Sequence, residues 1–136
     1  MIEQREIVLP DFERGFHLIS GLITDQLPDL PEKGIFNLFI KHTSAGLSIN
    51  ENADSTVRTD LERIFNKLVP DGVKEYVHTM EGPDDMPAHV KSSLVGHSVT
   101  IPITNHRLNL GTWQGIFLCE FRNRGGRRKL IATIYS

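Results

Sequence analysis

The sequence QGIFLCEFR, residues 114–122, is the stretch that decides the fold. Side chains of an extended chain alternate between two faces, which places Phe117, Cys119 and Phe121 together. The opposite face carries Gln114, Ile116, Leu118, Glu120 and Arg122. This mainly apolar run predicts a strand. Glu120 and Arg122 are neighbours on the second face and lie too far inside the pattern to be residues of a turn tip.

The chain on either side of this strand also has β patterns. Residues 99–103 alternate, and we predict a turn at residues 104–107 after them. A hairpin at residues 123–126 is predicted to return the chain through a last strand at residues 130–135. The last third of the chain is therefore predicted to be β structure.

The first half of the chain is predicted to combine strands with helices. Strands are expected at residues 3–9, 34–40 and 47–52, the last of them beyond a small polar turn at residues 43–46. Helical spacing also predicts a helix that ends before Pro28, with the apolar residues Phe16, Ile19, Ile23 and Leu27 on one face.

A further helix is predicted after Asp54, which is a good N-cap, and Pro70 ends it. Its apolar stripe is expected to pack on the rest of the domain and consists of Val57, Leu61, Ile64 and Leu68. Residues 73–79 are predicted to form a short extended segment. The predicted fold class is α+β, with a mostly antiparallel sheet or sandwich and two to three helices in a single compact domain over residues 1–136.

The composition excludes several classes of partner. The formal net charge is −2, so the basic footprint typical of nucleic-acid-binding proteins is missing. The most basic run, residues 122–129, is interpreted as a turn with solvated charges. No apolar run approaches the length of a membrane span, and the single Cys119 is expected to be a buried thiol. We expect a cytoplasmic protein that acts without nucleic acid or membrane.

The stretch MEGPDDMPAHVKSSLVG, residues 80–96, is predicted to contain a short helix with an unusual face. Pro87 suits the first turn of a helix and Gly96 is a natural stop. Asp85, His89 and Ser92 fall at positions i, i+4 and i+7, which lie on one face. A carboxylate, an imidazole and a hydroxyl on one face suit a metal or phosphate site better than a core.

The same helix has a structural interpretation. Asp84 or Asp85 can cap its first turn, in which case the carboxylate is no ligand. Val90 and Leu94 are expected to supply its apolar side.

Three histidines lie beside predicted turns or helix starts, namely His42, His78 and His89. Imidazole together with carboxylate suits zinc, manganese or iron, and a phosphate substrate brings magnesium into consideration. Three protein ligands and one open position would form a catalytic rather than a structural site. Surface histidines without a shared role are the alternative, because their spacing matches no known metal signature.

Polar groups near these histidines suit a phosphorylated ligand. The turn at residues 43–46 can wrap an anion with backbone N–H groups, or its hydroxyls can simply close the turn. Arg122 would add a charge-assisted bond to phosphate. No phosphate-binding glycine loop or nucleophile elbow is present, and neither Ser44 nor Ser92 has an evident base, so covalent serine catalysis is not expected.

Three separated motifs occur in one order along the chain. They are HTSAGLSI at residues 42–49 with ENAD at 51–54, GPDDMPAHVKSSL at 82–94, and LGTWQGI at 110–116 with EFR at 120–122. In all three the chain resembles the YjbQ-like family (UPF0047). The resemblance implies a compact α+β fold, a homotrimer and a secondary thiamine-phosphate synthase activity. That reaction joins hydroxymethylpyrimidine diphosphate to a thiazole phosphate and releases pyrophosphate.

Candidate site residues follow from the motif positions and the chemistry together. The catalytic candidates are His89, Asp85, Glu120 and Arg122. The substrate-binding candidates are Thr43, Ser44, Asn52, Asp54, Lys91, Ser92, Trp113 and Gln114. The metal-ligand candidates are His42, His78 and His89, for a divalent ion such as zinc, manganese or magnesium. His106 stands where the family pattern would carry glycine, and we interpret it as a turn residue.

Three functions fit these features. The first is an enzyme with weak thiamine-phosphate synthase activity, assisted by a metal. The second is a metal-dependent hydrolase of a small phosphorylated compound. The third is a non-enzymatic, trimeric protein that binds a metal or a metabolite.

Overall fold

Eight strands and three helices make up the computed structural model, which describes residues 1–136. The strands are β1 Ile2–Val8, β2 Gly15–Leu18, β3 Lys33–Ile40, β4 Ala45–Glu51, β5 Ser98–Thr104, β6 Arg107–Leu108, β7 Gln114–Glu120 and β8 Lys129–Tyr135. The helices are α1 Ser20–Thr24, α2 Ser55–Leu68 and α3 Asp85–Val95. The α+β fold with antiparallel sheets in one compact domain is thereby confirmed.

The strands form two antiparallel sheets that pack face to face. One has the order β1-β8-β3-β5-β6, and the other has the order β2-β7-β4. Alternate residues of β3 point into the space between the sheets, where Phe36, Leu38 and Ile40 are buried. Leu47 of β4 and Leu118 of β7 meet them from the opposite sheet in one continuous core.

A second layer of packing lies between the three-stranded sheet and the helices. Phe117 and Cys119 of β7 face this layer, together with Phe16 of β2 and Ala88 of α3. Strand β7 is therefore covered on both faces, since it is the central strand of its sheet. The two-faced apolar pattern of residues 114–122 reflects this position. Burial also raises the pKa of the Cys119 thiol, which fits the predicted inert cysteine.

Helix α2 begins as predicted, because Asp54 accepts a hydrogen bond from the Thr56 N–H at 2.9 Å. Its predicted stripe is partly wrong. Leu61 packs against the second core, whereas Ile64 and Leu68 are 53% and 66% exposed. The face that meets β2 is rotated away from the predicted one and uses Phe65.

The helix predicted up to Pro28 is also wrong over its first half. Residues 15–18 form β2 instead, and only Ser20–Thr24 is helical. Phe16 lies opposite Cys119 in the ladder between β2 and β7. Pairing with β7 therefore makes these residues extended, although their spacing alone favours a helix.

Two further predictions about connections are wrong. Residues 123–126 do not join a hairpin, because β7 and β8 belong to different sheets and the chain crosses between them. The basic run there is not wholly solvated, since Arg128 is only 4% exposed. Residues 73–79 form turns rather than a strand, and Val77 is 94% exposed with no neighbouring strand to pair with.

The turn between β5 and β6 is confirmed. Asn105 and His106 both have positive φ angles, 52° and 64°, as a tight hairpin turn requires. The His106 Nδ1 lies 2.8 Å from the Leu30 carbonyl oxygen, so this ring supports the turn. None of the helices has the length and apolar character needed to cross a membrane.

Candidate functional site

Two histidines and one aspartate meet at the start of α3. The Oδ2 atom of Asp85 lies 2.6 Å from His78 Nε2 and 3.1 Å from His89 Nε2. One ligand atom from each residue lies within 4.8 Å of the other two. Ligands of a tetrahedral zinc ion are about 3.3–3.4 Å apart, given metal–nitrogen distances of about 2.0–2.1 Å. The group is therefore close to the size that a metal ion requires.

The local sequence explains how these side chains meet. Asp85 and His89 are four residues apart on α3 and so lie one above the other on the same face. That face is turned inward, since Asp85 and Ser92 are buried. The expected apolar side is wrong, because Leu94 is 62% exposed. His78 reaches the group from the irregular segment before the helix.

Arg122 holds the carboxylates of the adjacent aspartates from the outside. Its Nη1 donates to Asp85 Oδ1 at 2.6 Å, and its Nε donates to Asp84 Oδ2 at 2.9 Å. Asp84 stands at the predicted N-cap position, but its side chain makes no capping hydrogen bond, and Asp85 is the first residue of the helix. Burial alone would raise the pKa of Asp85. The bond from His78 and the charges of His89 and Arg122 outweigh it, so this pKa lies below its usual value.

His89 is oriented by a backbone carbonyl. Its Nδ1 lies 2.9 Å from the Thr43 oxygen, which can only accept, so Nδ1 carries a proton. Nε2 lies 3.1 Å from the Asp85 carboxylate, and a cation bound by both residues would lie between these two atoms. An imidazole whose second nitrogen donates to a carbonyl is the usual arrangement of a metal-ligating histidine.

His89 also lines a cavity of about 710 Å³ that is open to solvent. Seven of its nine lining residues are of polar or charged type, and they come from the end of β3, the turn after it, α3 and the connection from α3 to β5. The residues are Phe39, Ile40, Lys41, His42, Thr43, His89, Ser92, Ser93 and His97. Hydroxyl, imidazole and ammonium groups in one open cavity suit an anionic ligand.

His42 lines this cavity but lies outside the metal group. Its Nε2 accepts a hydrogen bond from the Lys129 N–H at 2.9 Å, which places the ring proton on Nδ1. Burial, followed by the positive charge of Arg128, lowers the pKa of His42, so the ring is neutral at pH 7. In this state His42 can donate to a ligand from Nδ1, whereas metal ligation would require a different tautomer.

Several predicted site residues lie at the far end of β4. Asn52 donates to the carbonyl oxygens of Thr112 and Gln114 at 3.2 and 3.1 Å, and Trp113 is 64% exposed in the same loop. Asp54 caps α2 there. Because β4 has seven residues, these groups are about 20 Å from the metal group within one chain. The structure does not bring them together with His89.

Three other predicted residues are buried, and their polar groups bond to other groups of the protein. The Lys91 ammonium donates to Asn66 Oδ1 at 2.7 Å and does not line the cavity. Glu120 is fully buried, and its carboxylate is bonded to the Arg128 guanidinium. The Ser92 hydroxyl donates to the Ala45 carbonyl oxygen at 2.9 Å and fixes the helix.

The sequence patterns missed four residues that the structure brings to this region: Lys41, Ser93, His97 and Arg128. The first three belong to no periodic pattern. For Arg128 one signal existed, since a glutamate inside an apolar strand needs a cationic partner when it is buried.

The sequence comparisons show the family of the chain. The model of the family described as "UPF0047 protein YjbQ-like" matches residues 5–136. The chain belongs to this family. The YjbQ protein of Salmonella typhimurium is 55% identical over 133 residues, which cover 96% of each chain. YugU of Bacillus subtilis is 46% identical over 96 residues, which cover 68% of this chain and 70% of YugU.

Two solved structures have the same fold. A conserved hypothetical protein from Thermus thermophilus is 32% identical, with a TM-score of 0.83 over 97% of this chain and 99% of that one. A YjbQ/UPF0047 protein from Clostridium acetobutylicum is 36% identical, with a TM-score of 0.79 over 96% and 98% of the two chains. These likenesses establish the family and the fold, and the activity has to be argued from the site.

Proposed function

We propose that this YjbQ-like protein is a metal-dependent enzyme that acts on a small phosphorylated compound. The observation that carries the proposal is the group formed by His78, Asp85 and His89. Two of these three residues are also hydrogen-bonded to a second group outside the site, here called an outer partner. Arg122 orients the carboxylate and the Thr43 carbonyl orients His89. Such outer partners typically accompany true metal ligands.

The donor set favours zinc or manganese over magnesium. Magnesium prefers oxygen ligands and retains several waters, whereas two imidazoles suit zinc, manganese or iron. Three protein ligands leave a coordination position free, as in catalytic sites. The cavity beside His89 is where a substrate would reach that position.

The cavity supports a phosphate group as part of the substrate. The Lys41 ammonium supplies a positive charge and Thr43 contributes a hydroxyl donor, whereas the Ser93 hydroxyl already donates to the His89 carbonyl oxygen at 2.9 Å. His42 adds an Nδ1–H donor that stays neutral. These groups can hold a phosphate or pyrophosphate through charge-assisted bonds.

We propose thiamine-phosphate synthesis as the first reaction to test. The thiazole ring nitrogen forms a bond to the methylene carbon of hydroxymethylpyrimidine diphosphate. The carbon–oxygen bond breaks, and its electron pair leaves with pyrophosphate. Lys41 and His42 would donate to the oxygens on which charge develops, and a bound cation would neutralise part of that charge.

Hydrolysis of a phosphorylated compound is the second candidate. The open cavity favours hydrolysis, since water can reach the side of His89 that lines the cavity. A water on the free coordination position would be activated for attack on phosphorus.

The decisive test compares metal content with turnover. We expect the purified protein to contain close to one equivalent of zinc or manganese by elemental analysis, to lose activity on chelation and to regain it on metal addition. His89→Ala should lose both, while His106→Ala, a turn histidine, should keep both. Activity that chelation leaves unchanged would refute the metal role, and metal binding without turnover in either assay would indicate the non-enzymatic function.

We also propose that copies of the chain associate as a homotrimer. The helices pack against the three-stranded sheet, so the outer face of the five-stranded sheet has no helix over it. Ile35, Phe39 and Tyr135 lie on that face and are each more than 40% exposed. Phe39 also lines the cavity, so a neighbouring copy on this face would close part of the open side.

A further inference from the structure

A buried ion pair lies behind the cavity and outside the metal group. Arg128 donates from Nε to Glu120 Oε1 at 2.7 Å and from Nη2 to Oε2 at 2.6 Å. The two residues are 4% and 0% exposed. Buried pairs of this kind often add no more stability than apolar residues of the same volume. The contacts that the pair makes with its surroundings are therefore the place to look for its role.

Each residue of the segment 42–45 accepts a hydrogen bond, through the His42 ring or through a backbone carbonyl oxygen. On the side of Arg128, the guanidinium Nη2 donates to the Ser44 carbonyl oxygen at 3.3 Å, and the Lys129 N–H donates to His42. On the side of α3, the Thr43 oxygen accepts from His89 and the Ala45 oxygen accepts from Ser92. The segment is thus held between the arginine and the helix that carries the metal group.

We propose that Arg128 is a positioning residue of the metal site. The carbonyls of Thr43 and Ser44 belong to consecutive peptide planes, which are related by only two backbone torsions. By fixing the Ser44 carbonyl, Arg128 fixes the direction of the Thr43 carbonyl. That carbonyl accepts from His89 Nδ1 and so orients the ring with Nε2 towards Asp85, where the metal would bind. The inference rests on the proposed function in one respect, namely that His89 ligates a metal.

The geometry requires arginine rather than any cation. A planar guanidinium can bind both oxygens of Glu120 and still direct an N–H to Ser44. A lysine ammonium has a different reach and cannot make the parallel pair of bonds. Gly125 adds a further constraint, because a Cβ there would clash with the Glu120 carboxylate. The backbone at that position therefore limits movement of the carboxylate.

The test uses two independent readouts on the full chain. The double variant Glu120→Leu/Arg128→Met removes both charges, so that no unpaired charge stays buried. In ¹⁵N NMR spectra of metal-free protein, wild-type His89 should show the signal of a hydrogen-bonded Nδ1–H, and the double variant should lose this signal. In titration calorimetry with zinc, the double variant should bind about tenfold more weakly, as loss of outer partners typically causes.

Two further variants make the outcome decisive. Arg5→Gln breaks the exposed ion pair between Arg5 and Glu3, which touches neither residues 42–45 nor α3, and should leave the Nδ1–H signal and the zinc affinity unchanged. Arg128→Lys replaces the double variant if that variant does not fold. It should weaken zinc binding about threefold, which is less than the loss of affinity that removal of an outer partner typically causes.

A folded double variant with the wild-type Nδ1–H signal and wild-type affinity would overturn the proposal, as would a wild-type His89 without a proton on Nδ1. Failure of wild-type protein to bind either zinc or manganese would refute the proposed function alone, since the NMR readout needs no metal.

Discussion

Replacing the two neighbouring aspartates one at a time should separate metal binding from stability. Asp84 and Asp85 both bond to Arg122 and both are nearly buried, but only Asp85 touches the histidines. We therefore expect Asp85→Asn to weaken zinc binding at least about 100-fold, more than the loss of an outer partner would. Asp84→Asn should weaken it only about threefold, because it acts through Arg122.

These factors translate into thermal shifts. At a zinc concentration of about 100 times the wild-type Kd, binding stabilises the folded state by about 2.7 kcal/mol. The same concentration gives about 2.1 kcal/mol for Asp84→Asn and about 0.4 kcal/mol for Asp85→Asn. For 136 residues, 1 kcal/mol corresponds to about 3.5 °C in Tm. The zinc-induced shifts should then be about 9, 7 and 1.5 °C.

The metal-free proteins provide the matched control. Each substitution weakens charge-assisted hydrogen bonds of a nearly buried carboxylate, and such bonds are worth about 1.5–3 kcal/mol each. Both variants should therefore melt about 5–10 °C below wild type without metal. Scanning fluorimetry of chelator-treated protein, with and without zinc, measures all of these values. A full zinc-induced shift in Asp85→Asn, or an equal loss in both variants, would show that the proposed ligands are wrong.

Three further predictions concern other parts of the chain. The pKa of His42 is lower in the folded protein than in the unfolded chain, so protonation favours the unfolded chain. The contribution of His42 to stability is therefore present above its unfolded pKa and is lost as the pH falls through its folded pKa. His42→Gln should flatten the decline in Tm between pH 7 and pH 5. Gly125→Ala forces a methyl group against the Glu120 carboxylate and should cost about 1–3 kcal/mol in denaturant unfolding, whereas wild-type stability would contradict the tight contact. Ile35→Lys should shift the mass measured by light scattering towards the monomer, and an unchanged mass would exclude this face as the interface.

Sequence patterns succeeded where one face of an element decides its conformation. The strand of residues 34–40 keeps Phe36, Leu38 and Ile40 on one side, and Asp54 caps α2 as its residue type suggests. They failed over residues 15–18, since the ladder with β7 decides that conformation and the partner strand lies about a hundred residues away. Local spacing carries no information about such a partner.

The candidate site was predictable in part for the same reason. Asp85 and His89 are neighbours through helical spacing alone, so their proximity follows from the sequence. His78 joins them through an irregular segment that no periodicity describes. Trp113 and Gln114 were expected at the same site, but a strand's length separates the two ends of β4. That two loops belong to the same set of motifs does not show at which end of a strand each loop lies.

The inward face of α3 has a consequence for how accurately the site is built. A helix held by leucines can slide or rotate slightly on its support, since apolar contacts have no direction. This helix instead buries Asp85, Lys91 and Ser92, each with a partner at hydrogen-bonding distance. Moving it by one residue would leave a carboxylate and an ammonium without partners, at a cost of several kcal/mol. The helix therefore has a single permitted registry, and His89 is placed to within the tolerance of a hydrogen bond.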